Sequence, residues 1–512
     1  MKNLLNYSLC SFLFVFLLTA CSTEGDEGIR NNDPSGAFDT NGGIIAGEFG
    51  GGDTGSGGIF SDTLSGEGYN EFQENDFVLT ADEAVSTFSI DADGASYANV
   101  RRFLNSGTLP PQGAVRTEEL LNYFEMDYPY PTEGHLLRMN AEVSACPWTQ
   151  GNQLLRIGVR GKDIPAQDLP GSNFVFLVDV SGSMGSPDKL ELLKASLISF
   201  VEFLPDTDRV ALVTYSGSSN VILPSTSVAE SQAIISAIAS LGTGGGTNGA
   251  QGIITAYEIA EQNFIPGGNN RLIIGTDGDF NIGVSGQDEL VALIEEKRET
   301  GVYLSVLGVG TGNLQDGKME QIANNGNGTY EYLDSPEQAQ KVFIDEYKKF
   351  YAAAKDVKMQ ITFNSNQVSA YRLIGYENRL LATEDFEDDT KDAGELGINQ
   401  TITALYEIVP AAGGSLFGDV GVIDYRYKEI DSDVSSEFTL YIPNQISSFE
   451  NASENMRFCA ATAGYGMLLW GSEYSGNLTW DAIIDWAQNA QSYDPGGHRA
   501  EFVTLAETAA AL

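Results

Sequence analysis

From residue 173 to about 345 the chain alternates between two hydrophobic rhythms. "NFVFLVDV", "RVALVTYS", "NRLIIGTD" and "VYLSVLGVG" are short, nearly continuous apolar runs of strand length. Between them lie helical patterns. "KLELLKASLISFVEFL" places Leu190, Leu193, Leu197, Val201 and Leu204 three and four residues apart, on one helical face. Apolar strands alternating with amphipathic helices predict an α/β region, a doubly wound and mostly parallel sheet covered on both sides. In such sheets ligands are held by the loops beyond the carboxyl ends of the strands.

The flanks have a different rhythm. Upstream, Ser96 to Leu104 and Arg116 to Phe124 read as two amphipathic helices separated by "GTLPPQG", so residues 76–135 are expected to form a helical N-terminal module. Residues 136–165 contain two strand patterns, "LLRMNAEVSAC" and "NQLLRIGVRGK". At least five more strand patterns fill residues 355–445, and residues 446–512 return to helices. Two short strands do not make a stable sheet. Those of 136–165 are therefore expected to pair with the later ones, so that the α/β domain of 171–345 is inserted in a β-sandwich.

The first residues change the picture from a soluble chain to a tethered one. Lys2 is followed by an apolar core, shorter than a membrane span, that ends in Leu18-Thr19-Ala20-Cys21. This ending resembles the lipobox of bacterial lipoproteins. The resemblance implies a signal peptide over 1–21, cleavage before Cys21 and lipidation of that cysteine. The expected location is the bacterial cell envelope, and Ser22 is compatible with the outer membrane. Residues 22–75 are Gly-rich with small polar residues and are expected to be a disordered linker.

The chain has 71 acidic and 28 basic residues, a formal charge of −43. So acidic a protein repels nucleic acid and anionic headgroups, which leaves the lipid anchor as the expected membrane contact. Past the lipobox only Cys146 and Cys459 remain. Their spacing does not decide for a disulfide, and two buried free thiols are preferred.

The strand "NFVFLVDV" ends in Asp179, and Ser181 and Ser183 follow, with no lysine to neutralise them. Two other loops at the same rim carry Thr247, in "LGTGGGTNGAQGI", and Asp277, in "IIGTDGDFNIG". Together they offer three hydroxyls and two carboxylates, hard donors suited to Mg²⁺, Mn²⁺ or Ca²⁺ rather than zinc. A phosphate loop would need a lysine after the glycines, and "GTGGGTNG" has none. Neither histidine, His135 or His498, sits in a catalytic pattern.

DxSxS, a threonine in a Gly-rich loop and an aspartate in TDG, in this order, resemble the metal-ion-dependent adhesion site (MIDAS) of von Willebrand factor type A (VWA) domains. The flanking "FSIDADGASYANVRRFLNSGTLPPQGAVRTEELLNYF", "RLIGYENRLL" and "DAGELG" are similar to the N- and C-terminal modules of a bacterial lipoprotein group with this domain, whose C-terminal domain has no known function. The resemblance implies that Asp179, Ser181, Ser183, Thr247 and Asp277 hold a divalent ion, directly or through water. It also implies an open coordination position for an Asp or Glu carboxylate of a protein partner. The expected function is adhesion-like protein binding without catalysis. The alternatives are a metal-dependent hydrolase, which lacks a recognisable motif here, and a structural envelope protein whose metal only stabilises loops.

Overall fold

A computed structural model describes residues 59–61, 66–91, 93–246, 249–278, 287–413 and 418–512. The lipobox with Cys21, most of the Gly-rich segment and Thr247 lie outside the described residues. Among the described residues no helix is long and apolar enough to cross a membrane.

The α/β domain is a six-stranded sheet in the order Tyr330–Leu333, Tyr303–Val309, Asn269–Thr276, Ser172–Asp179, Arg209–Tyr215, Ser219–Ser227. Neighbouring strands are parallel except for the Ser219–Ser227 edge. Every residue of Ser172–Asp179 and of Asn269–Thr276 is buried, which is why the middle of each reads as an apolar run without polar alternation. Alternate residues serve opposite faces. Phe174, Phe176 and Val178 pack with Leu193, Leu197, Phe200 and Val201 of the Leu192–Phe203 helix. Val175 and Leu177 pack with Ile253, Ala256 and Tyr257 of Gly249–Gln262.

The chain leaves the central Ser172–Asp179 strand towards Arg209–Tyr215 and later returns to its other side as Asn269–Thr276. The strand order therefore reverses between Asp179 and Asp277. That switch point is the crevice where doubly wound sheets place ligands.

The domain is inserted in a β-sandwich. Gln153–Gly161 pairs antiparallel with both Leu137–Ala145 and Thr401–Pro410, so strands from before and after the insertion share one sheet. The facing sheet runs Gly394–Gly397, Ala352–Phe363, Asp419–Lys428, Ser435–Pro443. Leu155, Ile157 and Val159 of the first sheet share one core with Met359, Ile361 and Ile423 of the second.

The segment 76–135 departs from a purely helical module. It holds helices Ala95–Asn105 and Thr117–Asn122, and also strands Val78–Leu79 and Val85–Ser89. These strands join opposite sheets of the sandwich, beside Val368–Ile374 and Ala352–Phe363 respectively. The two helices pack with Glu454–Trp470, Trp480–Gln488 and His498–Ala511 through residues such as Tyr97, Leu120, Phe124, Phe458 and Phe502. Cys146 and Cys459 are free, buried thiols in this helical core.

The linker is also shorter than its composition indicates. Residues 66–75 are docked. Gly68 donates its N–H to Leu314 O at 2.8 Å, and the buried Glu67 carboxylate takes both Arg102 nitrogens at 2.8 Å and Gly312 N–H at 2.7 Å. Tyr69 donates its hydroxyl to Glu67 at 2.6 Å. Glycine content hid two anchoring side chains.

Candidate metal centre

Asp179 ends the central strand with its carboxylate fixed on both oxygens. The Ser181 N–H donates to Oδ1 at 2.8 Å, an aspartate turn onto the residue two positions on. Thr276 Oγ1 donates to Oδ2 at 3.1 Å. Thr276 is itself held: it accepts the Tyr215 hydroxyl at 2.9 Å and the Gly278 N–H at 3.0 Å. Three adjacent strands thus set the orientation of one carboxyl group.

The serines complete this side of the rim. Ser181 Oγ and Ser183 Oγ lie 3.0 Å apart, on the loop that enters the turn Gly182–Gly185. Gly244 donates its N–H to Val180 O at 2.8 Å, which brings the Gly-rich loop against the Asp179 loop three residues before Thr247. The position of Thr247 itself lies outside the described residues, as do Asp279 and Asn281.

Asp277 follows Thr276 and is fully buried. Its Oδ2 accepts the Lys189 ammonium at 3.1 Å and the Asn313 amide at 3.0 Å. Lys189 also donates to Asn313 Oδ1. Gly278 has φ +84°, and a Cβ there would meet Gln315 at 2.8 Å, so only glycine lets the chain turn away at this point.

Burial pushes Asp179 up to about 6, against the hydrogen bonds from Ser181 and Thr276 and with a further rise from the nearby Asp277 charge. The carboxylate is thus held where its negative charge is poorly solvated, and a cation would relieve that cost. Asp179, Ser181, Ser183 and Asp277 offer hard oxygen donors, without sulfur or imidazole. They fit a Mg²⁺-, Mn²⁺- or Ca²⁺-like ion. His135 lies against Phe438 of the sandwich and His498 against Tyr123 of the helical core.

Four groups escaped the sequence reading: Thr276, Tyr215, Lys189 and Asn313. Lys189 corrects the view that no lysine neutralises these acids. It lies ten residues beyond Asp179 and reaches the carboxylate of another loop. Asn313 was findable, because "VYLSVLGVG" ends at the same rim and the loop after it carries that side chain.

A second group of buried carboxylates, Asp91, Asp93 and Glu119, lies within 4.8 Å of one another. Two arginines offset part of its charge. Arg379 pairs with Asp91 at 3.0 Å and with Asp93 at 3.5 Å, and Arg116 binds Glu119 and Asp316. The Tyr330 N–H donates to Asp93 at 2.7 Å. This network joins the helical module to the α/β domain.

Comparison with known proteins agrees with this architecture. Residues 173–344 match the model of the von Willebrand factor type A domain. Residues 63–156 match a model described as von Willebrand factor, and 348–512 match the C-terminal model of the uncharacterized protein YfbK. The uncharacterized protein YfbK of Escherichia coli (strain K12) is 41% identical over 469 residues, covering 86% of this chain and 80% of the relative. Among solved structures, a von Willebrand factor type A protein from Catenulispora acidiphila is 14% identical, with TM-score 0.41 over 71% of this chain and 89% of that one. The conserved hypothetical protein BatB from Bacteroides thetaiotaomicron is 24% identical, with TM-score 0.30 over 35% of this chain and 98% of that one.

Proposed function

Because the chain belongs to the YfbK family of von Willebrand factor type A domain proteins, we propose that it is a non-catalytic interaction module that captures a protein partner at the switch-point rim. In this reading Asp179, Ser181, Ser183, Thr247 and Asp277 hold one divalent ion. The observation that carries it is the convergence of Asp179, Ser181, Ser183 and Asp277, all oxygen donors, at the carboxyl end of two neighbouring strands. A bound Mg²⁺, Mn²⁺ or Ca²⁺ would supply an open coordination position for an Asp or Glu carboxylate of the partner.

The chain's own residues do the positioning. Thr276 and the Ser181 amide hold the Asp179 carboxylate in one orientation. Lys189 and Asn313 hold Asp277 from the side of the 310–315 loop. A histidine general base would have to stand at the rim, and both histidines stand elsewhere.

Asp179→Ala should abolish Mn²⁺ binding in calorimetry while thermal unfolding stays cooperative, since Asp179, though buried, ends its strand beyond the apolar side chains that form the domain's cores. Crosslinking in native membranes should capture a partner that is lost with EDTA. A partner held equally well in EDTA, or by Asp179→Ala, would place the interaction elsewhere.

The envelope location is part of the same proposal and rests on Leu18 to Cys21. Fatty-acid labelling should be lost in Cys21→Ala, and the protein should leave the membrane fraction. Equal labelling of the two proteins would refute the anchor.

A further inference from the structure

We propose that Asp91, Asp93 and Glu119 hold a Ca²⁺ ion at the junction of the N-terminal segment, the α/β domain and the sandwich. This site is separate from the rim and does not rest on the rim's metal. One carboxylate oxygen of each residue lies within 4.8 Å of those of the other two. Two oxygens at this group lack a full partner. Asp93 is 2% exposed, and its Oδ1 accepts the Tyr330 N–H at 2.7 Å. Among the described residues its Oδ2 has only Arg379 Nη2, at 3.5 Å. Glu118 is also 2% exposed, and its Oε2 is buried without a hydrogen-bond partner among the described residues, in the field of Asp91 and Glu119. Buried carboxylate oxygens in this state are costly until a cation or a proton reaches them.

The surrounding charges leave room for a cation. Asp91, Asp93, Glu118, Glu119, Asp316 and Glu320 are buried, Glu377 is half-buried, and all act on one another. Among the described residues the guanidiniums set against them are Arg116 and Arg379. A way in exists, because Asp93 and Arg379 line a cavity of about 220 Å³ together with Asn324 and Asn378. The ligand set selects the ion. Glu119 Oε2 accepts the Ser96 N–H at 2.7 Å, Asp91 Oδ1 the Asp93 N–H at 2.9 Å and Asp91 Oδ2 the Arg379 Nε–H at 3.0 Å. Carboxylates so tied cannot regroup into the octahedron that Mg²⁺ demands, whereas Ca²⁺ accepts an irregular shell of about six to eight oxygens. The ion would join residues 91–119 to Tyr330 of the α/β domain and Arg379 of the sandwich, and so stabilise their junction.

The experiment is calorimetric titration and thermal unfolding of the full chain with calcium chloride, in excess Mg²⁺ so that the acidic surface is already covered. The wild type and Asp179→Ala should both bind Ca²⁺, and the Tm of both should rise by a few degrees once Ca²⁺ is well above its Kd. Asp93→Asn keeps the acceptor for the Tyr330 N–H and removes one charge. Placed in the Asp179→Ala chain, it should lose both the binding and the Tm rise. Glu118→Gln leaves the three ligands in place and should weaken Ca²⁺ about tenfold through loss of one nearby charge. A wild type without Ca²⁺ binding would overturn the proposal whether or not the variants fold, and would leave the group neutralised by protons alone. Binding that Asp179→Ala abolishes would belong to the rim, and binding that Asp93→Asn leaves intact would lie elsewhere; either result overturns it. If Asp93→Asn does not fold, Glu118→Gln decides, and an unchanged affinity there overturns it equally.

Discussion

Asp208 shows how a single buried carboxyl acts at the far end of the strand that carries the rim. It accepts the Ser172 N–H at 2.9 Å through Oδ1, and its Oδ2 is buried without a hydrogen-bond partner among the described residues. Burial pushes its pKa from 3.8 up to about 6. A carboxyl raised in the folded state contributes stability that is fully present below the unfolded value and is lost as pH rises through the folded one. Asp208→Asn keeps the Oδ1 acceptor and removes the charge. It should raise the Tm above pH 7, with the gain shrinking through pH 6 and vanishing near pH 4. Thermal melts across that range check it, and a gain independent of pH would contradict it. At this scale legibility depended on adjacency. Asp179, Ser181 and Ser183 could be read because they follow a strand directly, and Asp277 because TDG ends one. Lys189, Thr276 and Tyr215 act on carboxylates from other strands or loops, and no local pattern announces that.

Elements were legible where periodicity was long and uniform. The α/β strands were readable because both of their faces are buried, and the Leu192–Phe203 helix because its apolar stripe recurs at helical spacing. The failures are short elements whose stability is tertiary. Gly68–Asn70 is a three-residue strand in a Gly-rich stretch, where composition argues for disorder. It is ordered by Glu67, whose carboxylate joins Arg102 to the Gly312 amide, and by the buried Tyr69. The same loop supplies Asn313 to Asp277. The chain leading from the proposed anchor therefore docks one loop away from the rim. Val85–Ser89 was hidden similarly. Its five residues form a strand because Ala352–Phe363 offers a free ladder, not because of their own alternation.

At the scale of all the described residues, a discontinuous sandwich is interrupted by the α/β domain, and the interruption is closed at its base. Gly161 N–H donates to Gln400 O at 2.9 Å, Asn399 N–H to Lys162 O at 3.0 Å and Ile398 N–H to Tyr351 O at 2.8 Å. The two ends of the insertion are thus bound to the same stretch, 397–400, and the chain leaves and re-enters the sandwich at one place. Insertion with adjacent ends leaves the host topology intact. All strands of the sandwich lie outside 164–349, and its core draws on none of those residues. Replacing 164–349 by a short Gly/Ser linker should therefore leave a chain that unfolds cooperatively and keeps its near-ultraviolet circular dichroism. Its Tm should be lower than that of the full protein, because Arg116 loses Asp316 and Arg101 loses Asp334, both buried partners, and breaking such pairs costs about 3 kcal/mol each. Arg116 keeps Glu119 and Arg101 keeps Glu501, both outside the deleted stretch, so the loss should stop short of unfolding. A shortened chain that melts without cooperativity would mean that the sandwich needs the inserted domain to fold.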